Sequence, residues 1–320
     1  MAALPSAGVA RGLIRILILV VVVLAIPVAG VFALLHAASQ PPPDQAKADP
    51  SEVLLQTEDA TFVSSDGVSL SGWFLRGKRG VPPIVLCHDL GGSRSQLLNA
   101  AVALSKAGNP LLLLDFRRHG DSGIARSTLG VNERLDVLAA IGWLRGRPEF
   151  AQSRIGGWGV GMGAYALALA ALEEPGLTAL ALDGLYPDVT TEADRRLKAM
   201  MPSAAQSLVP AARLLYGSYF RCRLGQFALN HRLSGLSGRS LLLIAASEVP
   251  EQFEEERRIY DAIPETAEGD KNLLELRRSG LSGLYAEDRT KYDQAIRQFF
   301  ADHLAAGARN PGRPIEVIEK

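Results

Sequence analysis

Residues 154–169 read RIGGWGVGMGAYALAL. Ile155–Trp158 is short and apolar, fit for a strand buried on both faces of a sheet. From Met162 onward the side chains are small or apolar, as in a helix packed tightly on that sheet. Between the two lie Gly159, Val160, Gly161, Met162 and Gly163. Strand, sharp turn and helix in this order match the G-x-S-x-G elbow, which lifts a serine hydroxyl to the top of a sheet. The outer glycines are present, but glycine also fills the nucleophile position. The central residue of such a turn is held at positive φ, which costs a side-chain-bearing residue about 1–3 kcal/mol. Glycine relieves most of that strain. The turn can therefore survive without its nucleophile.

The flanking chain extends the same alternation. Thr61–Ser65 and Val68–Leu75 enclose Asp66-Gly67, a hairpin signal. Val81–Cys87 (VPPIVLC) and Pro110–Phe116 (PLLLLDF) are strand-length apolar runs. A helix is expected from Gln96 to Lys106, and another over Asn132–Leu144, whose Leu135, Val137, Leu138, Ile141 and Leu144 lie on or near one face. Past the elbow, Leu180–Leu182, Ser240–Ala245 and Asn272–Leu276 read as strands. Glu251–Ile263 and Ala286–Leu304 read as helices. Strands alternating with helices imply an α/β protein, its sheet mostly parallel and covered on both faces.

Four landmarks in fixed order carry a specific resemblance: a strand followed by HDLGGS; Asp115–Ser122 (DFRRHGDS); LGVNERLDVLAAIGWL; and the elbow. From about Ala60 to Leu304 the chain resembles an α/β-hydrolase, closest to the BEM46-like and serine-aminopeptidase-like serine hydrolases. The resemblance implies a mostly parallel eight-stranded sheet, with a short helical cap over about 187–238. It also implies a Ser, Asp/Glu, His triad in chain order. On that pattern the nucleophile slot is Gly161, the acid slot is Val249 and the base slot is Leu281. Glu248, one residue from the acid slot, and Asp183, at the end of the preceding strand, are fallback acids. The oxyanion donors implied are the backbone N–H groups of Leu90 and Met162. Asp89 replaces a family glycine close to the oxyanion position, where an acidic side chain opposes negative charge. Arg118 replaces another glycine.

Any activity would need displaced residues. Ser93, Ser122 and Cys87 are the nearest nucleophile candidates, and none has an evident histidine partner. His88 and His119 belong to the landmark loops and read as structural. His36, His231 and His303 lie far from the base slot. A buried carboxylate without its partner is destabilising by about 3–5 kcal/mol, so apolar Val249 and Leu281 fit a site released from catalysis.

The N-terminal end reads differently. Ile16–Leu35 is a run of twenty uncharged residues, about 30 Å as a helix and enough to cross a bilayer core. A cleavable signal peptide has a shorter apolar region, about 7–15 residues, so the length favours an uncleaved anchor over a cleaved, secreted form. Arg11 and Arg15 precede the run and Asp44, Lys47, Asp49 and Glu52 follow it, which places the N-terminus in the cytoplasm. The expected organisation is a cytoplasmic segment 1–15, a transmembrane anchor 16–38, a Pro-rich linker 39–53, the hydrolase-fold domain 54–305 and a flexible tail 306–320. The formal net charge is zero, with 34 basic and 34 acidic residues, and no basic stripe or zinc spacing points to nucleic acid. No cofactor and no metal is expected. In the cap, Tyr216, Tyr219, Phe220, Arg221 and Arg223 suggest either a surface for a partner or simply an amphipathic helix. The leading expectation is a membrane-anchored pseudohydrolase that binds a protein partner or a small apolar ligand at the cap. The alternative is an active esterase, thioesterase or peptidase using displaced residues.

Overall fold

The chain enters through one long helix, α1 (Ala7–Ser39), and the computed structural model describes residues 7–40, 48–265, 269–278, 280 and 284–304. After a short 3-10 turn at Pro50–Val53, the hairpin β1 (Glu58–Val63) and β2 (Ser69–Leu75) opens the domain. There follow β3 (Ile84–Cys87), α2 (Leu98–Ala107), β4 (Leu111–Leu114), α3 (Glu133–Arg145), β5 (Ile155–Val160), α4 (Met162–Ala171) and β6 (Leu177–Asp183). The cap contributes α5 (Val189–Met200) and α6 (Val209–Phe220). The last elements are β7 (Ser240–Ala246), α7 (Pro250–Ala262), β8 (Lys271–Leu276) and α8 (Ala286–Leu304).

The eight strands form one sheet in the order β1-β2-β4-β3-β5-β6-β7-β8. β2 pairs antiparallel with both β1 and β4, and every later pairing is parallel. The sheet is thus mixed at one edge and parallel through its body. β3 starts at Ile84, later than its apolar run suggests, because Pro82 and Pro83 have no N–H to give to a neighbour. One buried cluster joins the sheet to α3, α4, the cap and α7, and a second joins its other face to α2 and α8.

The chain leaves β3 toward β4 on one side and comes back to β5 on the other. The strand order reverses there, and such a switch point opens a crevice at the C-terminal ends of the strands. The loop after β3 and the elbow after β5 meet in that crevice.

α1 contains a stretch, Val21–Ser39, with a mean hydropathy of 2.4, long and apolar enough to cross a membrane. Its last turns are not free of the domain. Leu35 and Ser39 are fully buried, and α1 packs on α5 and α6. The Phe32 ring meets Tyr219 edge-on at 5.7 Å. Ser39 Oγ shares a hydrogen bond with the Tyr219 hydroxyl at 3.0 Å. The Gln40 side chain clamps Ser127, donating to its carbonyl at 2.7 Å and accepting from its N–H at 3.0 Å. The linker expected over 39–53 therefore begins with residues fixed in the domain, because their amide and hydroxyl groups find buried partners. Residues 41–47 of that linker and the tail 306–320 lie outside the described residues.

Candidate functional site

The elbow keeps its hydrolase geometry. Gly161 has φ 53° and ψ −113°, the strained left-handed conformation that favours glycine. Its N–H donates to the Asp183 carbonyl at 2.8 Å, and its carbonyl accepts from Tyr165 N–H at 3.1 Å. Gly163 is required by close approach, since a Cβ there would press on the carbonyl oxygens of Cys87 and His88 at 2.5 and 2.6 Å.

Asp89, in the loop after β3, fills the space over the elbow. Its Oδ1 accepts from the Met162 N–H at 2.8 Å. That N–H is the donor an acyl-transfer enzyme of this geometry keeps open for a developing oxyanion. The carboxylate also occupies the space above Gly161, because a Cβ built on Gly161 would land on it. One side chain thus takes both the Met162 N–H and the space above Gly161. Leu90, whose N–H the resemblance names as the second donor, follows Asp89 in the same loop and packs partly against the core.

The other slots are distributed unevenly. Asp183 ends β6 with its side chain buried. It accepts from Gly280 N–H at 3.0 Å and from the Tyr292 hydroxyl at 2.8 Å. Of the two fallback acids it is the one that lines the cavity over Gly161. Glu248 turns away, bonded to Arg278 and to the Tyr285 hydroxyl at 2.7 Å each, and these two bonds hold its carboxyl below the usual range. Val249 precedes α7 half exposed and does not line the cavity. It therefore does not seal the site with apolar surface. Leu281 lies outside the described residues, although Gly280 beside it reaches Asp183.

The candidate nucleophiles serve the scaffold. Cys87 is fully buried in β3, and burial pushes its thiol well above its ordinary range, so it is not a thiolate. Ser122 Oγ donates to the Asp115 carbonyl at 2.7 Å and accepts from Ser71 N–H at 2.9 Å. Ser93 precedes a 3-10 turn and is buried. His88 Nδ1 donates to the Asp89 carbonyl at 2.7 Å while its Nε2 accepts from Phe116 N–H at 3.1 Å. His119 repeats the pattern, donating to the Arg117 carbonyl at 2.8 Å and accepting from Gly91 N–H at 3.0 Å. Each ring thereby has one fixed neutral tautomer, and burial lowers both pKa values. His303 sits in α8 against Phe299 and 3.5 Å from Asp270, far from the elbow. The two histidines of the landmark loops are structural, as read from the sequence.

A cavity of about 260 Å³ opens above Gly161. Its walls include Asp89, Asp183, Glu192, Arg195, Arg196 and Gln252. Glu192 accepts from Arg195 and Arg196 at 2.5 Å each, and Arg195 also reaches Glu255 at 2.8 Å. Burial raises the Glu192 carboxyl, opposed by the two guanidinium groups. The walls are lined with charge. The sequence reading did not single out this Glu192–Arg195–Arg196 group. Its signal is the EADRR run of α5, where 192, 195 and 196 share a helix face at i, i+3 and i+4. Tyr292 was also missed, being one tyrosine in an ordinary amphipathic helix. The aromatic group of the cap is core: Tyr216, Tyr219 and Phe220 are buried, and Tyr216 donates to Asp194 at 2.7 Å. Arg221 and Arg223 remain exposed.

Comparison with known proteins agrees with this architecture. No family profile matches the chain. An uncharacterised protein of Mycobacterium tuberculosis is 32% identical over 127 residues, 39% of this chain and 44% of that protein. A polyketide transferase of Stachybotrys chlorohalonatus is 32% identical over 126 residues, 38% of this chain and 42% of that protein. The matches thus span less than half the length of these relatives. An esterase of Pyrococcus furiosus superposes with a TM-score of 0.64 at 21% identity, over 82% of this chain and 96% of the esterase. A dienelactone hydrolase of Anabaena variabilis gives 0.55 at 18% identity, over 78% and 99%. This protein has the α/β-hydrolase fold.

Proposed function

We propose that this chain is a membrane-anchored α/β-hydrolase-fold protein that has left hydrolysis and acts by binding or scaffolding. One observation carries the reading: Asp89 bonds the Met162 N–H and fills the space above Gly161. Acyl transfer needs a nucleophile at that turn and open donors for the negative oxygen. Here the nucleophile is missing, its donor is taken, and a negative carboxylate stands where negative charge would develop. The relatives named as enzymes support the fold; the reading itself rests on residues 89 and 161 of this chain. The displaced-residue alternative needs a hydroxyl or thiol beside an imidazole in the crevice. Cys87 is buried within β3, and Ser122 Oγ is engaged by the Asp115 carbonyl and Ser71 N–H instead.

The binding reading rests on the cavity, whose ion-paired walls suit a polar ligand. The anchor reading rests on α1. Its apolar stretch is long enough to span, and its end is bonded into the cap through Ser39 and Gln40. A segment meant for removal has no use for buried side-chain bonds to the mature domain. With Arg11 and Arg15 on the cytoplasmic side, the domain lies outside the cytoplasm.

The test uses the full chain in detergent micelles, exposed to a fluorophosphonate probe and to p-nitrophenyl ester and thioester substrates. The expected result is no labelling above a heat-denatured control and no turnover above buffer. Turnover abolished by a single point substitution would overturn the reading.

A further inference from the structure

The length of α1 and its docking do not fit together unless the cap meets the membrane. This inference rests on the anchor reading above. The uncharged run Ile16–Leu35 has twenty residues, but Val31, Phe32, Leu34 and Leu35 are packed against the domain. Only Ile16–Gly30 is left for lipid, fifteen residues or about 22 Å at 1.5 Å per residue. A bilayer core is about 30 Å thick. Letting Arg15 snorkel by one helical turn recovers about 5 Å, which still falls short. The first docked turn must therefore enter the interfacial layer, and it brings α5 and α6 with it.

The cap surface has the composition such a position requires. Ala199–Ala212 is a stretch of fourteen residues without a charge, between Lys198 and Arg213. It joins α5 to α6, the two helices on which α1 packs. Met200, Leu208 and Leu214 project from it and from the start of α6, with 47%, 63% and 85% of their surface exposed. Along α6 the exposed positions are Pro210, Ala211, Arg213, Leu214 and Ser218, and the one charge among them, Arg213, is paired with Asp194. A helix face turned to water normally carries charge, and apolar side chains grouped on one exposed surface mark an interaction site. Exposed Arg221 and Arg223 follow α6, placed to meet lipid phosphates.

We infer that the cap of this protein is itself a membrane-contacting surface, with Leu208 and Leu214 inserted at the headgroup–acyl boundary beside α1. Interfacial elements of this kind lie roughly 5–10 Å deep. The domain then does not swing on a tether. It is seated on the bilayer in one orientation, by the anchor and the cap together.

The test places nitroxide labels on the full chain in vesicles of phosphatidylcholine and phosphatidylglycerol. A Cys222→Ser background leaves only the buried Cys87. Labels go at Val22→Cys in α1, Leu214→Cys and Leu208→Cys on the cap, and Arg297→Cys on α8, which packs on the opposite face of the sheet. Collision with oxygen reports lipid, and collision with a nickel chelate reports water. We expect the oxygen-to-nickel ratio at positions 208 and 214 to exceed that at 297 several-fold and to lie below that at 22. If Leu214 and Leu208 are as open to nickel as Arg297 while Val22 is lipid-exposed, the inference falls and the anchor stands. Protection of the cap labels from both reagents would mean a protein surface covers the patch, a second copy or a partner, and also overturns the inference. If Val22 is open to nickel, the anchor reading itself fails.

Discussion

Two loops at the same end of the sheet have met opposite fates. The loop after β4, Phe116–Ser122, keeps polar partners for most of its groups, the buried Arg118 Nε excepted. Arg117, almost fully buried, forks onto Asp136 with its Nη2 at 2.6 Å and reaches Asp66 with its Nη1 at 2.6 Å. Asp115 accepts from the N–H groups of Arg94 and Asp121 at 2.7 and 3.0 Å. Glu133 closes the next turn by accepting from Thr128 N–H at 3.0 Å and Gly130 N–H at 2.8 Å. The elbow after β5 retains its backbone, with glycine at its centre. The difference is one of energetics. In the first loop Arg117 and Asp115 each satisfy other buried groups, so losing one strands its partners. At the elbow the catalytic side chain faces a crevice, so replacing it strands nothing and glycine even relieves strain.

The strongest way to test that contrast is to break the first loop. Arg117→Met leaves the carboxylates of Asp136 and Asp66 without their cation, and Asp136 is wholly buried. The expected loss is about 3–5 kcal/mol, read by chemical denaturation of the full chain in micelles. A loss below about 1 kcal/mol, the scale of an exposed ion pair, would break the contrast.

A second prediction concerns Glu256, behind the cavity wall. It accepts from Gln252 at 2.7 Å and from Ala246 N–H at 3.1 Å, and burial pushes its carboxyl up to about 7. The folded state therefore holds this proton more tightly than the unfolded chain, whose carboxyl titrates near 4.3. Its contribution is full below about pH 4.3 and is lost as pH rises through about 7, on the order of 3 kcal/mol in all. Stability measured from pH 4.5 to 7.5 should fall less steeply in Glu256→Gln than in the parent. Parallel curves would contradict the assignment.

At the elbow itself, Gly161→Ser should lower stability by about 1–3 kcal/mol through the left-handed backbone, with a further contribution from the Asp89 carboxylate it meets. It should create no esterase activity, since no imidazole of the described residues reaches the cavity. Robust hydrolysis by that single variant would place a base where none is seen. The smallest effect is expected at Asp183. Tyr292→Phe removes one donor from Asp183 and the acceptor of Trp158 Nε1 at 3.2 Å, a loss of about 1 kcal/mol by thermal unfolding.

Much of the fold is legible in the sequence because buried parallel strands and flanking helices leave patterns local to the chain. The runs PLLLLDF and SLLLIA become β4 and β7, and Ala286–Leu304 becomes α8 with the same bounds. The empty nucleophile position at Gly161 is equally local. Other features depend on long-range partners. The sequence shows Asp89 near the oxyanion position, but only its side-chain direction reveals the bond to Met162. Ser39 and Gln40 read as the start of a linker because Tyr219 and Ser127, their partners, lie far along the chain. Tyr216 and Tyr219 read as a possible surface for the same reason, since their neighbours are α1 and Asp194. Arg118 replaces a family glycine and keeps a positive φ of 68°, a strain that residue type alone does not reveal.

The account turns on Asp89 and Gly161 being one linked replacement, and a double-mutant cycle measures that link. Thermal and chemical unfolding would be compared for the parent, Gly161→Ser, Asp89→Gly and the double variant. The left-handed strain at 161 is present in both backgrounds and cancels, leaving the contact with the carboxylate. We predict that the serine is less destabilising when Asp89 is absent, with a coupling of about 0.5–3 kcal/mol, the range for residues in contact. Additive losses would mean that Asp89 does not occupy the place of the nucleophile.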